Sequence, residues 1–183
     1  MNRICVYAGS KPGSNQAFAA QSKVLGEVFA EKQIELVYGG AKSGLMGELA
    51  DAILASGGSV TGIMPTPLFE KEIAHQKLTS FIEVKTMHER KAKMSELADG
   101  FIALPGGFGT FEELFETITW AQIGLHTKPI ALLNTENYYT PLLNLIEHAI
   151  QAGFVAESNR SLILQAAEPG ELVEKMESWL REK

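Results

Sequence analysis

The sequence predicts an α/β fold, one parallel sheet with helices packed on both faces. Two observations predict it. Short apolar runs alternate with amphipathic stretches from one end to the other, and glycine-rich turns recur where a run gives way to a stretch. That alternation indicates βαβ units, whose crossover helices cover both faces of a parallel sheet.

The elements follow in order. Ile4–Tyr7 reads as a buried strand, and Ala20, Val24, Leu25, Val28 and Phe29 then recur at helical spacing. Leu36–Tyr38 is the next strand, before a helix through Leu45, Leu49, Ile53 and Leu54. Val60–Ile63 and Phe81–Val84 are the third and fourth strands, and Met87–Leu97 reads as helix. Phe101–Leu104 is strand, Phe111, Leu114, Phe115 and Ile118 mark a helix face, and Ile130–Leu133 is strand again. Leu142–Ala152 is helical and Leu162–Leu164 a short strand. Leu172, Val173, Met176, Trp179 and Leu180 form a last helix. Only Pro65–Gln76 breaks the pattern, either as a lid or specificity loop or as a plain connection with one helical turn.

With 183 residues the chain is expected to form a single domain, 1–183, that buries about 70% of its unfolded surface without disulfides or metal. Lys and Arg number 16 against 22 Asp and Glu, a net charge of −6. That balance argues against a nucleic-acid polymer or an anionic membrane as partner, since both call for clustered positive charge. It leaves room for a small anion held by a few local charges. One cysteine, Cys5, allows no internal disulfide and fits a reducing compartment. The apolar run near the N-terminus is too short for a signal peptide, and no stretch approaches the ~20 apolar residues of a membrane span. A cytoplasmic protein is expected.

Ligands of open parallel sheets bind beyond the carboxyl ends of the strands, so the residues following each strand matter most. Ala8-Gly-Ser-Lys-Pro-Gly-Ser14 follows the first strand and Gly39-Gly-Ala-Lys-Ser-Gly-Leu-Met-Gly47 the second. Pro105-Gly-Gly-Phe-Gly-Thr110 follows Phe101–Leu104 and runs into a helix. Glycine admits a ligand close to the backbone, and a helix N-terminus behind it offers N–H groups and a positive dipole end. Together they suit a phosphate. Turns of this kind also favour glycine without any ligand, but three on one sheet edge favour a phosphorylated one. They make Ser10, Gly39, Gly40 and Gly106 candidate contacts.

The common nucleotide fingerprints are missing. Nothing matches G-x-x-x-x-G-K-[ST], and Glu112 stands where Gly107-Phe-Gly109 would need a third glycine. A carboxylate there opposes a pyrophosphate, which disfavours ordinary dinucleotide binding. His75, His88, His126 and His148 lack metal-ligand spacing, so neither a metal nor a cofactor is expected.

Thr110-Phe-Glu-Glu113 fits a capping box, with Thr110 at the helix start and Glu113 reaching back. Spacing alone favours that role over a carboxylate meeting a cationic transition state. Glu112 has no such local explanation. Arg90 and Lys91, in Met87-His-Glu-Arg-Lys91, read either as part of a solvated basic face with Lys93 or as an anion clamp.

Pro105-Gly-Gly-Phe-Gly-Thr-Phe-Glu-Glu113 matches P-G-G-x-G-T-x-x-E, and Met87-His-Glu-Arg-Lys91 matches M-H-x-R-K. With Tyr38-Gly-Gly, Gly44-Leu-Met-Gly47, Glu72-Ile-Ala-His-Gln76 and Thr119-Trp-Ala-Gln122, nearly the whole chain resembles the Lonely guy (LOG) family of cytokinin riboside 5′-monophosphate phosphoribohydrolases. Relatives were long labelled lysine decarboxylases. The phosphate-and-carboxylate character of the turns gives that label no support, with no evident pyridoxal phosphate site.

The resemblance implies a Rossmann-like, doubly wound fold and a homodimer. It implies hydrolysis of the N-glycosidic bond of adenosine 5′-monophosphate or an N6-substituted form, giving free base and ribose 5-phosphate. The catalytic pair would fall on Arg90 and Glu113. Nucleotide contacts would fall on Glu72, Arg90, Lys91, Gly107, Phe108, Gly109, Thr110, Phe111, Glu112, Glu113 and Thr119. Under this resemblance the catalytic role of Glu113 takes precedence over capping, although the two can coexist. A non-catalytic nucleotide-sensing or cofactor-carrier module is the alternative from another class.

Overall fold

The computed structural model describes residues 1–66 and 74–182. The strands are β1 (Arg3–Tyr7), β2 (Glu35–Tyr38), β3 (Val60–Pro65), β4 (Ser80–Val84), β5 (Gly100–Ala103), β6 (Ile130–Leu133) and β7 (Ile163–Ala166). The helices are α1 (Gln16–Glu31), α2 (Gly44–Ala55), α3 (Met87–Leu97), α4 (Phe108–Gln122), α5 (Thr140–Gln151) and α6 (Pro169–Arg181).

All seven strands run parallel in the order β4-β3-β2-β1-β5-β6-β7. The chain builds outward from β1 on one side, then returns to add β5 on the other. This is a Rossmann-like, doubly wound sheet, with its topological switch point between β1 and β5.

Side chains alternate between the two faces of each strand. Ile4, Val6, Leu36, Tyr38, Ile102 and Leu104 pack under α1, α2 and α6. Cys5, Tyr7, Val37, Phe101 and Ala103 pack under α3, α4 and α5. Strands buried on both faces explain why the sequence shows continuous apolar runs instead of alternation.

Local signals set the helix starts. Asn15 caps α1 by accepting from the Ala17 N–H at 2.9 Å. Thr86 caps α3 by accepting from the Glu89 N–H, while Glu89 Oε2 accepts from the Lys85 N–H. The residue at the cap of α4 is Gly107, and no side chain caps that helix.

Several expectations need correction. The buried face of α1 is Ser22, Leu25, Gly26 and Phe29, whereas Ala20 and Val24 face outward. The last strand lies at Ile163–Ala166 because Glu157–Leu162 winds into a 3-10 turn. Phe115 is exposed, outside the face formed by Leu114 with partly buried Phe111 and Ile118. Most of the Pro65–Gln76 segment, including Glu72, lies outside the described residues. At its described ends, Pro65 closes β3 and Ala74 bridges Ala41.

Candidate active site

The turns after β1, β2 and β5 are bound together at the switch point. The Gly9 N–H donates to Pro105 O at 3.1 Å, and the Leu45 N–H donates to Gly9 O at 3.0 Å. Gly106 is required by this crossing, since a Cβ there would lie 2.1 Å from Thr110 Oγ1 and 2.9 Å from Gly9 N. Tyr138 Oη holds the same turn by donating to Gly106 O.

Over this crossing opens a cavity of about 190 Å³. Ala8, Gly9, Ser10 and Met46 form one wall, and Gly107, Phe108, Gly109 and Thr110 form another. Arg90 and Glu113 complete it. The backbone wall is the first turn of α4, where a helix presents N–H groups and the positive end of its dipole. Thr110 is the third residue of that helix and is buried, so it does not cap. The expected Thr110–Glu113 capping box is therefore absent. Turn residues 104–107 hand the chain to the helix at Phe108, two residues before Thr110.

Arg90 comes from the opposite side, on α3, and it is buried at 6% exposure, not part of a solvated face. Its Nε donates to Ile63 O on β3 at 3.1 Å. Its Nη1 lies 3.9 Å from Glu113 Oε1 and 3.9 Å from Met87 Sδ. Gly39, just past the end of β2, makes this path possible, because a Cβ there would sit 1.8 Å from Arg90 Nη2. A buried guanidinium is costly without a partner, and Glu113 provides one. At 3.9 Å the pair is beyond hydrogen-bond distance, so both groups face the cavity as charges without being locked together.

The other sequence candidates fall around this centre. Lys91 Nζ bonds Glu112 Oε1 at 2.5 Å and Glu116 Oε1 at 2.9 Å, tying α3 to α4. Burial opposes the charge on Lys91, but the two glutamates outweigh it and raise the pKa above the ordinary lysine value. Phe111 packs inward against the core. Thr119 is exposed and donates to Phe115 O at 2.7 Å. Gly40 is buried behind Gly39, with a φ of +80°. Glu72 lies outside the described residues.

Ala8, Gly9 and Met46 line the cavity without having been candidates. All three lie inside the glycine-rich turns, which were the available signal. A second hollow of about 340 Å³, with Phe18, Leu45 and Tyr138, shares Gly9, Ser10 and Gly107 with the first. A larger one, about 590 Å³, lies at the opposite sheet edge. Its charges are already matched: Arg3 Nε pairs with Glu35, and Asp99 accepts from the Asn2 and Arg3 N–H groups. Among the described residues, no three His, Cys, Asp or Glu side chains converge as metal ligands, and no helix is long and apolar enough to cross a membrane.

Known proteins resemble this chain at two levels. A solved structure of the molybdenum cofactor carrier protein from Chlamydomonas reinhardtii shares the fold, with a TM-score of 0.73, 98% of both chains covered and 19% identity. In sequence, a family model described as possible lysine decarboxylase matches residues 46–176. The cytokinin riboside 5′-monophosphate phosphoribohydrolase LOG of Oryza sativa subsp. japonica is 45% identical over 180 residues, which cover 98% of this chain and 74% of that protein. A cytokinin riboside 5′-monophosphate phosphoribohydrolase of Arabidopsis thaliana is 44% identical over 178 residues, 97% of this chain and 84% of that one. Identity at this level over nearly the full length, together with the family model, means that the chain belongs to the Lonely guy (LOG) family of cytokinin riboside 5′-monophosphate phosphoribohydrolases.

Proposed function

We propose that this chain hydrolyses the N-glycosidic bond of adenosine 5′-monophosphate, plain or N6-substituted, to free base and ribose 5-phosphate. The observation that carries the reading is Arg90 held 3.9 Å from Glu113 beside the first turn of α4, in a chain 45% identical to a relative of that activity.

In this reading the 5′-phosphate sits on the backbone N–H groups of Gly107 through Thr110. Its binding is remote from the broken bond and goes into positioning. Water attacks C1′ as the bond to N9 breaks, and the departing base keeps the electron pair and takes up a proton. Positive charge develops at C1′ and the ring oxygen, where the Glu113 carboxylate stabilises it and orients the water. Arg90 meets negative charge gathering on the base. Ser10, Gly39, Gly40 and Gly106 shape the surrounding turns, and the family resemblance further assigns nucleotide contacts to Glu72, Lys91, Phe111, Glu112 and Thr119. Lys91 acts there through the two glutamates it binds.

The test is incubation with AMP and with N6-isopentenyl-AMP, followed by chromatography for base and ribose 5-phosphate. Free base from either substrate supports the reading, and absence of product from both refutes it. A nucleotide carrier has no need of a carboxylate aimed beside the phosphate. Tight retention of nucleotide with no product would favour that alternative.

We further propose a homodimer in the cytoplasm. The outward stripe of α4, with Phe108, Phe115 and Ile123 exposed, supports the dimer, and Phe108 also borders the cavity. The single, fully buried Cys5 suits a reducing compartment.

A further inference from the structure

Beneath Glu113 lies a pair of hydroxyls that the reaction itself does not use. Tyr7 ends β1 at the switch point, and its Oη is 2.9 Å from Thr117 Oγ1, a buried contact between residues 110 apart in sequence. Thr117 Oγ1 in turn donates to the backbone carbonyl of Glu113 at 2.9 Å, one helical turn back. A threonine hydroxyl has one proton. With that proton on the Glu113 carbonyl, the Tyr7 hydroxyl must be the donor to Thr117. Burial raises the Tyr7 pKa well above the ordinary tyrosine value, which keeps that donor in place.

The bond adds a directional constraint to the packing of α4. Leu114 packs α4 onto the sheet, and the hydrogen bond from Tyr7 on β1 to Thr117 constrains the rotation and axial position of the helix. Arg90 is anchored separately, through Ile63 O on β3. The distance between the two charged groups thus depends on an anchor for each partner, in addition to the Lys91 tie between α3 and α4.

We propose that Tyr7 and Thr117 are positioning residues that hold Glu113 in register with Arg90, an inference that rests on the phosphoribohydrolase reading. An error of about 1 Å in a reacting group can cost ~10²-fold in rate, so the register matters.

The experiment compares Tyr7→Phe, Thr117→Val and Thr117→Ser with wild type, in kcat and KM on AMP. It also follows the Glu113 carboxyl resonance in ¹³C-labelled protein, assigned by its absence from Glu113→Gln. Tyr7→Phe and Thr117→Val are expected to lower kcat by ~10-fold with KM changed less than ~2-fold, and to shift the Glu113 carboxyl titration. The double variant should lose no more than either single one, and Thr117→Ser should restore wild-type kcat. Wild-type kcat in Tyr7→Phe with an unmoved Glu113 resonance overturns the proposal. So does a Thr117→Ser variant as impaired as Thr117→Val. Wild type that releases no base overturns the phosphoribohydrolase reading instead, and the carboxyl resonance then decides the positioning claim alone.

Discussion

Arg90 Nη1 stands 3.9 Å from Glu113 Oε1 across the cavity, with the two side chains 8% and 11% exposed. The pair unites α3 and α4, which lie on the same face of the sheet. Charges so shielded from water interact more strongly than surface charges do. Their alignment is therefore the feature most worth disturbing.

Glu113→Gln keeps the shape of the side chain and removes its charge. Loss of one electrostatic stabiliser typically costs ~10²–10³-fold in kcat. That loss is expected here with the fold retained by circular dichroism but a lowered melting temperature, since Arg90 then lacks its partner charge. Arg90→Lys should fail similarly, because an ammonium cannot both bond Ile63 O and reach Glu113 as the guanidinium does. Steady-state kinetics on AMP check both, and full activity in either variant removes that residue from the mechanism.

Gly39→Ala tests the path of Arg90. The added methyl would lie 1.8 Å from Nη2, so the guanidinium must leave its place. The expected result is a loss of at least ~10-fold in kcat/KM with intact secondary structure by circular dichroism. Activity near wild type would mean that the guanidinium position is not needed for turnover.

The five inner strands are legible because burial on both faces writes them as apolar runs. The half-exposed edge strands β4 and β7 are legible only because their short apolar runs follow the same alternation, and the helices because most carry one apolar stripe. The capping box shows where that reading stops. Thr86-Met-His-Glu89 and Thr110-Phe-Glu-Glu113 both spell T-x-x-E, yet only the first caps a helix. The difference lies in how many residues the turn uses between strand and helix. Burial of Arg90 was likewise illegible locally. It depends on Gly39, just past β2, and Ile63 on β3, which meet Arg90 only in the folded chain.

Lys91 provides a separate test of the link between α3 and α4. Lys91→Met removes the cation between Glu112 and Glu116 and leaves two like charges side by side. A loss of ~1 kcal/mol, or about 2–4 °C in melting temperature, is expected. High salt should narrow the difference by screening. Glu112→Gln should cost less, since Glu116 still binds the ammonium. A thermal melt at two salt concentrations distinguishes these outcomes.

The outward stripe of α4 makes a prediction about assembly. Phe115 on α4 and Ile123 just past its end are 39% and 62% exposed, and Leu125 further on is 68% exposed. An apolar stripe of this kind needs cover. Light scattering should give the mass of a dimer for wild type and of a monomer for Phe115→Asp/Ile123→Asp. A monomeric wild type at working concentration refutes the interface.

His126 predicts a dependence of stability on pH. Its Nδ1 accepts from the Lys128 N–H at 3.2 Å, so the neutral ring carries its proton on Nε2, which donates to Thr117 O at 3.1 Å. A second proton would break the bond to Lys128. Burial, opposed by the Thr117 carbonyl and aided by the Lys128 charge, lowers the pKa from the ordinary value of 6.5. The unfolded chain therefore binds the proton more readily. The stability His126 contributes is complete above pH 6.5 and declines as pH falls toward and through the lowered folded value. Urea unfolding from pH 8 down to pH 5 should show this decline in wild type, and a His126→Gln variant should show less of it. Equal slopes in the two proteins would assign the decline to other groups.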